Sequence, residues 1–284
     1  MFSRLGAKVN VFEILPTVFK PGEASLVNQL EKILKEEGIY IRKGVRVVKA
    51  YKEKGKKVLI YRILEGRNEE GQEIYGDEIL LATGKTPNTD ALNLEKAKVD
   101  IDGRKAIIVN EYLQTSNENI YAAGDVTNLP LRLETTAGRE GSIAVENAFE
   151  GNREKIDYNE VPYAIFTDPS LAGVDLTEEE MMNKYGVCSC RTLQFKDLPK
   201  AIIKNRTEGA VKLVIHPDTA QILGIHILAP DAGDLIAQGI LIIRNKMTIY
   251  DVISMLPVFP TFSEAIKLCA LSFMKDISKI SCCV

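Results

Sequence analysis

The chain has 284 residues, 45% of them hydrophobic, and a formal charge of −3 at pH 7. That length suits about two domains with a real core, and the weak acidic balance without a basic block argues against a nucleic-acid footprint. No apolar run reaches the roughly 18 residues of a membrane-spanning helix, residues 1–6 lack a signal-peptide core, and five cysteines do not make a secreted disulfide framework, so a cytoplasmic protein is expected.

Residues 8–14 read as a strand, with Val9, Val11 and Phe12 apolar and Glu13 near its end. Following the helix end at Arg4-Leu5-Gly6, it looks like the second strand of a Rossmann unit. The acidic residue after that strand normally binds the adenosine ribose of NAD, and Glu13 stands in that place; a solvated strand-end carboxylate is the alternative. The G-x-G-x-x-G turn of such a unit does not occur in the sequence, and without its first strand the unit exposes an apolar edge. Residues 26–37 read as a helix with Leu26, Leu30, Ile33 and Leu34 on one face, ended by Gly38. Residues 39–41 read as a strand, and 45–49 with 58–64 as a hairpin about a charged turn. A second turn, 66–71, leads to residues 78–82, an apolar strand expected to be buried on both faces.

Residues 90–105 are polar and irregular, and 107–110 read as a short strand. The run Ile120-Tyr121-Ala122-Ala123-Gly124-Asp125-Val126 reads as a short buried strand entering a sharp turn. Small residues there admit a ligand or another backbone. The Asp125 carboxylate can accept hydrogen bonds from a sugar or ribityl hydroxyl; a turn-capping Asp is the alternative. Residues 131–149 read as a helix whose first turn, at Leu133, faces the same ligand. Residues 151–160 read as a linker. Beyond it come a strand at 163–166, a helix at 177–184 with a Thr177–Glu180 capping box, strands at 201–203, 210–215 and 222–228, and helices at 232–244, 249–255 and 262–273. Consecutive strands flanked by helices argue for an α+β domain.

The segment Leu80-Leu81-Ala82-Thr83-Gly84-Lys85-Thr86-Pro87-Asn88-Thr89, taken with Gly124-Asp125, closely resembles the flavoprotein disulfide reductases, the class I FAD/NAD(P)-dependent disulfide oxidoreductases. The resemblance implies that Ala82, Thr83, Gly84 and Lys85 lie where the chain crosses from the NAD(P) domain back to the FAD domain. It implies that Gly124, Asp125 and Leu133 attend FAD. Val161-Pro162, Phe166-Thr167-Asp168-Pro169, Glu208-Gly209, Leu223-Gly224 and Ile225-His226-Ile227-Leu228 match the family's dimerisation domain, implying a homodimer through residues 160–284. The expected fold class is therefore α/β, with incomplete Rossmann-type NAD(P) and FAD segments, followed by an α+β dimerisation domain. The expected boundaries are 1–83, 84–152 and 153–284. The family's redox Cys-x4-Cys does not occur in the sequence. The chain is thus expected to be a C-terminal portion that binds FAD weakly or not at all and is inactive alone.

Most of the family ends its dimerisation domain with His-Pro-Thr-x-x-Glu, the His acting as general base and the Glu orienting it. Here the segment is Phe259-Pro260-Thr261-Phe262-Ser263-Glu264. Phe cannot move a proton, which leaves Glu264 as an acid–base remnant or as a charge favoured at a helix start. Within the family this resembles the mercuric reductases, although they carry a Tyr where Thr261 stands. The chain closes Ser281-Cys282-Cys283-Val284. Two adjacent thiolates suit a thiophilic metal ion, and Lys275 and Lys279 favour the thiolate form. The resemblance implies that Cys282 and Cys283 receive Hg(II) as substrate. The alternatives are a non-catalytic homodimeric metal–thiolate module or a fragment of a dihydrolipoamide-dehydrogenase-like enzyme. Cys188 and Cys190, spaced Cys-x-Cys, place both sulfurs on one strand face and match no family role. Cys269 reads as core, His216 as a turn residue and His226 as a satisfied interior histidine; no zinc-type ligand spacing occurs.

Overall fold

The computed structural model describes residues 1–64 and 71–276. Two compact units form: residues 1–79 with 162–284, and residues 80–161.

The first stretch opens with β1 (Asn10–Phe12), α1 (Ala24–Glu36) and β2 (Tyr40–Arg42). β1 and β2 pair in parallel, Asn10 opposite Tyr40 and Phe12 opposite Arg42, with α1 as the crossover that parallel strands require. β3 (Val45–Glu53), β4 (Lys56–Ile63) and β5 (Gln72–Gly76) form an antiparallel meander. Its first turn places Lys54 at φ +48° and Gly55 at φ +80°, the left-handed pair that a two-residue hairpin turn favours. The expected turn at 66–71 lies mostly outside the described residues. Residues 78–82 are not a strand: Leu80 is 82% and Leu81 79% exposed. An apolar strand buried on both faces needs neighbours on either side, and β1 and β2 pair only with each other among the described residues.

The unit of residues 80–161 has one long helix, α2 (Glu134–Phe149), and short 3-10 turns at Asp90–Leu92, Gly124–Val126 and Tyr158–Glu160. Its core gathers Leu113, Ile143 and Ala144 with Val109, Tyr121, Leu129 and Ile156. The strands expected at 107–110 and 120–126 reduce to single bridges, Ile107 with Ile101 and Thr127, and Tyr121 with Gln114. The chain turns at Gly124, φ +79°, before a ladder can extend.

The remaining elements are β6 (Tyr163–Ile165), β7 (Ser170–Asp175), α3 (Glu178–Tyr185), β8 (Ser189–Gln194), α4 (Pro199–Ile203), β9 (Ala210–Ile215), β10 (Ile222–Ala229), α5 (Ala232–Arg244), α6 (Ile249–Ser254) and α7 (Glu264–Leu271). Five strands form one antiparallel sheet in the order β6-β7-β10-β9-β8. Residues 201–203 are helical rather than extended, because Pro199 starts α4 at a first-turn position where its missing N–H costs nothing. β7, not anticipated, is hidden by its small residues Ser170, Ala172 and Gly173. Thr177 and Glu180 close the expected capping box on α3.

Side-chain alternation sorts this sheet into two faces. Val174, Val211, Leu213, Ile225 and Ile227 join the core built with α5, α6 and α7. Leu171, Ala210 and Leu228 point the other way, against Leu26, Val27 and Leu30 of α1. Those three α1 residues are at most 2% exposed, and burial of each contributes roughly 1.5–3 kcal/mol. This is why residues 1–79 associate with the sheet. The same alternation points Lys212 of β9 toward the start of α1. At Gly173, an added Cβ would lie 2.5 Å from His226 Nδ1 and 2.6 Å from Tyr163 Oη, so only glycine fits between these cross-strand neighbours. His226 is fully buried, 3.0 Å from the Leu176 carbonyl and 3.5 Å from Tyr163 Oη, an interior, partnered histidine. Among the described residues no helix is long and apolar enough to cross a membrane.

Candidate cofactor and metal sites

Three of the predicted ligand-facing segments, residues 82–85, Gly124-Asp125 and the start of α2 at Leu133, lie within residues 80–161. Lys85 Nζ lies 3.0 Å from Asp125 Oδ2, and Arg132 Nη1 donates to the Lys85 carbonyl at 3.0 Å. Leu133 is the N-cap of α2; its N–H donates to Thr136 Oγ1 at 3.2 Å. Gly84 has φ +96° with open space around it, while Ala82, Thr83 and Lys85 are exposed. Gly124 donates its N–H to Glu140 Oε2 at 2.6 Å, and Tyr158 donates to Glu140 Oε1 at 2.9 Å. A Cβ at Gly124 would reach 3.2 Å from the Ala137 Cβ.

Glu140, fully buried, is thus the post on which the Gly124-Asp125 turn rests. Burial and its hydrogen bond to Glu140 push the Tyr158 pKa up. Glu140 is not among the candidate residues named from the sequence. Its signal was position: it shares the stripe Thr136, Glu140, Ile143, Ala144, Asn147 that α2 buries.

The donor set decides what this corner fits. Asp125, with 42% of its side chain exposed, offers a carboxylate that accepts from hydroxyls, as the ribityl end of a flavin requires. The Gly124 N–H is committed to Glu140, so it is not offered to a phosphate. The corner fits a polyol, and the pyrophosphate cradle is not among these residues.

In the other unit, Glu13 follows β1, its Oε1 accepting the Leu15 N–H at 2.8 Å. That is the carboxyl end of a parallel strand, where nucleotides bind in open α/β sheets. Glu264 lies in the first turn of α7 and is 6% exposed. Its N–H donates to Thr261 Oγ1 at 3.3 Å, its Oε1 is buried without a hydrogen-bond partner among the described residues, and burial pushes its pKa up. The preceding Phe259-Pro260 bond is cis and Phe259 is half-exposed. Cys282, Cys283 and Lys279 lie outside the described residues.

Residues 1–149 match the pyridine nucleotide-disulphide oxidoreductase family, and residues 161–270 match its dimerisation domain. The chain belongs to this family. It is similar to the mercuric reductases of Staphylococcus aureus, 38% identical over 283 residues, and of Lysinibacillus sphaericus, 37% identical; each match covers the whole chain and 51% of the relative. It is also similar to the dihydrolipoyl dehydrogenase of Thermus scotoductus, 34% identical over 94% of the chain and 57% of that protein. The chain therefore spans about half the length of the mercuric reductases it matches. In fold it resembles LpdA from Mycobacterium tuberculosis, with a TM-score of 0.86 at 24% identity, covering 96% of this chain and 58% of that one. The HOCl-induced flavoprotein disulfide reductase RclA from Escherichia coli, as its Cu(II) complex, gives a TM-score of 0.85 at 24% identity over 96% of this chain and 60% of that one. The mixed α/β architecture is that of the flavoprotein disulfide reductases.

Proposed function

We propose that the chain is the C-terminal part of a mercuric-reductase-like flavoprotein, in which electrons pass from NAD(P)H through FAD and a thiol pair to Hg(II). The observation that carries this is whole-chain similarity to mercuric reductases, with Phe259 in place of a proton-moving histidine before α7. Reduction of a metal ion held by thiolates needs electrons and no proton at an imidazole. The buried Glu264 Oε1, without a hydrogen-bond partner among the described residues, supports the same reading, since an orienting carboxylate has no histidine at position 259 to orient.

FAD, when bound, supplies the two-electron relay between nicotinamide and thiols. Asp125 would accept from its ribityl hydroxyls, Lys85 and Glu140 hold that turn in place, and Leu133 opens the helix beside it. Glu13 would accept from the NAD ribose, with residues 82–85 carrying the chain between the two cofactor segments. The domain limits proposed are 1–83, 84–152 and 153–284. The exposed Leu80 and Leu81 support a larger NAD(P) domain than these residues alone complete.

Cys282 and Cys283 are the proposed receiving arm for Hg(II). Titrating the reduced protein with Hg(II), against Cys282→Ala/Cys283→Ala, is expected to remove the tightest equivalent from the variant. Unchanged high-affinity stoichiometry would show the pair to be incidental.

Assembly as a homodimer through residues 160–284 is supported by the dimerisation-domain match and by exposed apolar side chains on α5, α6 and the following loop: Leu241, Tyr250, Leu256 and Val258, the last two 94% and 75% exposed. Isologous burial of such a face suits an obligate interface of roughly 2,000 Å² or more. Sedimentation at micromolar concentration is expected to give a dimer mass with little or no flavin absorbance. A stable monomer would overturn the assembly, and a stoichiometric flavin signal would overturn weak FAD binding by this chain.

A further inference from the structure

Cys188 and Cys190 lie outside every site described above, and their sulfurs are bonded to each other, two residues apart in sequence. Cys188 precedes β8 and Cys190 lies on it; among the described residues β8 is an edge strand of the sheet, paired only to β9. Both cysteines are half-buried, so reagents reach them from the open edge. A ligand oxygen of Glu178, in the first turn of α3, and the two sulfurs all lie within 4.8 Å of one another. Glu178 is not free to swing: its Oε2 pairs with the buried Lys212 Nζ, and its own N–H donates to Glu23 Oε2 at 2.9 Å. Two sulfurs and one fixed carboxylate, from two elements and at a half-open edge, are the donors of a three-ligand site with room for solvent as a fourth.

We propose that the reduced pair Cys188 and Cys190, with Glu178, binds one thiophilic d10 divalent cation, and that re-forming the disulfide expels it. An external dithiol reduces the S–S bond, giving two electrons and two protons to the sulfurs and becoming a disulfide itself. The cation displaces both protons as the thiolates coordinate. An external two-electron oxidant takes the electron pair back, the S–S bond re-forms and the cation leaves. Lys212 is a positioning residue here, holding the carboxylate that completes the site, much as outer-shell partners orient metal ligands. The remaining described cysteine, Cys269, is excluded: it is fully buried and burial pushes its thiol up to about 12.

The test uses the full chain carrying Cys282→Ala/Cys283→Ala, so that the proposed Hg(II) arm contributes nothing and its success or failure leaves that reading untouched. Reduced with dithiothreitol, desalted without oxygen and titrated with Cd2+, this protein is expected to bind one equivalent, with a thiolate-to-metal charge-transfer band. The same protein oxidised with diamide is expected to show no band, a comparison needing no further mutation. Adding Cys190→Ser is expected to abolish the band. Adding Glu178→Gln is expected to keep it and weaken binding on the order of 10- to 100-fold. No band in the reduced protein, a band surviving diamide, or unchanged affinity in Glu178→Gln would each overturn the three-ligand site.

Discussion

Lys212→Met is expected to cost about 3–5 kcal/mol of folding stability, the penalty for leaving a buried charge without its partner. Lys212 is 4% exposed and Glu23 2%; Lys212 Nζ lies 2.7 Å from Glu23 Oε1 and also pairs with Glu178. Glu23 is fixed further by Ser25, whose Oγ donates to it at 3.0 Å, and by the Glu178 N–H. Methionine keeps the length of the stem but removes the charge, so the Glu23 carboxylate faces an apolar neighbour. The double variant Glu23→Leu/Lys212→Met is expected to recover most of the loss, because an apolar pair needs no compensation. Part of it should persist, since Glu23 also caps α1, a contribution of about 1 kcal/mol. Denaturant unfolding checks both, as a fall in midpoint at constant slope. A single variant within 1 kcal/mol of the parent, on the order of the surface-pair range, would show that water reaches the pair.

The same pair gives a pH dependence. Burial pushes the Glu23 carboxyl up, but the Lys212 hydrogen bond and the Glu178 N–H outweigh it and hold it down at about 2, against an ordinary 4.5. A lowered folded value means that this contribution is complete above 4.5 and is lost as pH falls toward 2. Burial lowers His226 from 6.5, so its contribution starts to be lost as pH drops below 6.5. Burial raises Cys269 from 9.0 to about 12, and its contribution is lost as pH climbs through that window. Unfolding midpoints are therefore expected to be highest between roughly pH 6.5 and 9, and Lys212→Met should flatten the acid limb below 4.5.

Glu140→Ala is expected to be the most damaging single change within residues 80–161. It deprives the Gly124 N–H and the Tyr158 hydroxyl of their acceptor, at about 1–3 kcal/mol for each donor left unpaired, and it opens a cavity beneath α2. The consequence reaches the cofactor corner, because the Gly124-Asp125 turn loses the anchor that sets where the Asp125 carboxylate stands. Tyr158→Phe removes only one of the two donors and should cost about 1 kcal/mol. Hydrogen exchange of the Gly124 amide distinguishes the two: fast in Glu140→Ala, still protected in Tyr158→Phe. Equal protection in both would place the anchor elsewhere.

Local pattern was enough for several elements. α1 and α5 follow from apolar spacing, α3 from Thr177 and Glu180, and the β3–β4 hairpin from its charged turn, because each rests on interactions a few residues apart. The Phe259 substitution and the Cys282-Cys283 ending were equally legible, since they are statements about residue type. The tertiary structure alone decided the rest. Residues 78–82 have a strand's composition but no strand paired to them among the described residues, and a ladder needs a partner that composition does not supply. Ser170–Asp175 lacks a clear pattern yet becomes β7, because β6 and β10 provide partners on both edges. Lys212 and Glu23 stand 189 positions apart, and Glu140 meets its partners Gly124 and Tyr158 when the fold brings them onto it. Buried polar pairs of this kind follow from which faces meet, a long-range outcome of packing that no window of sequence contains.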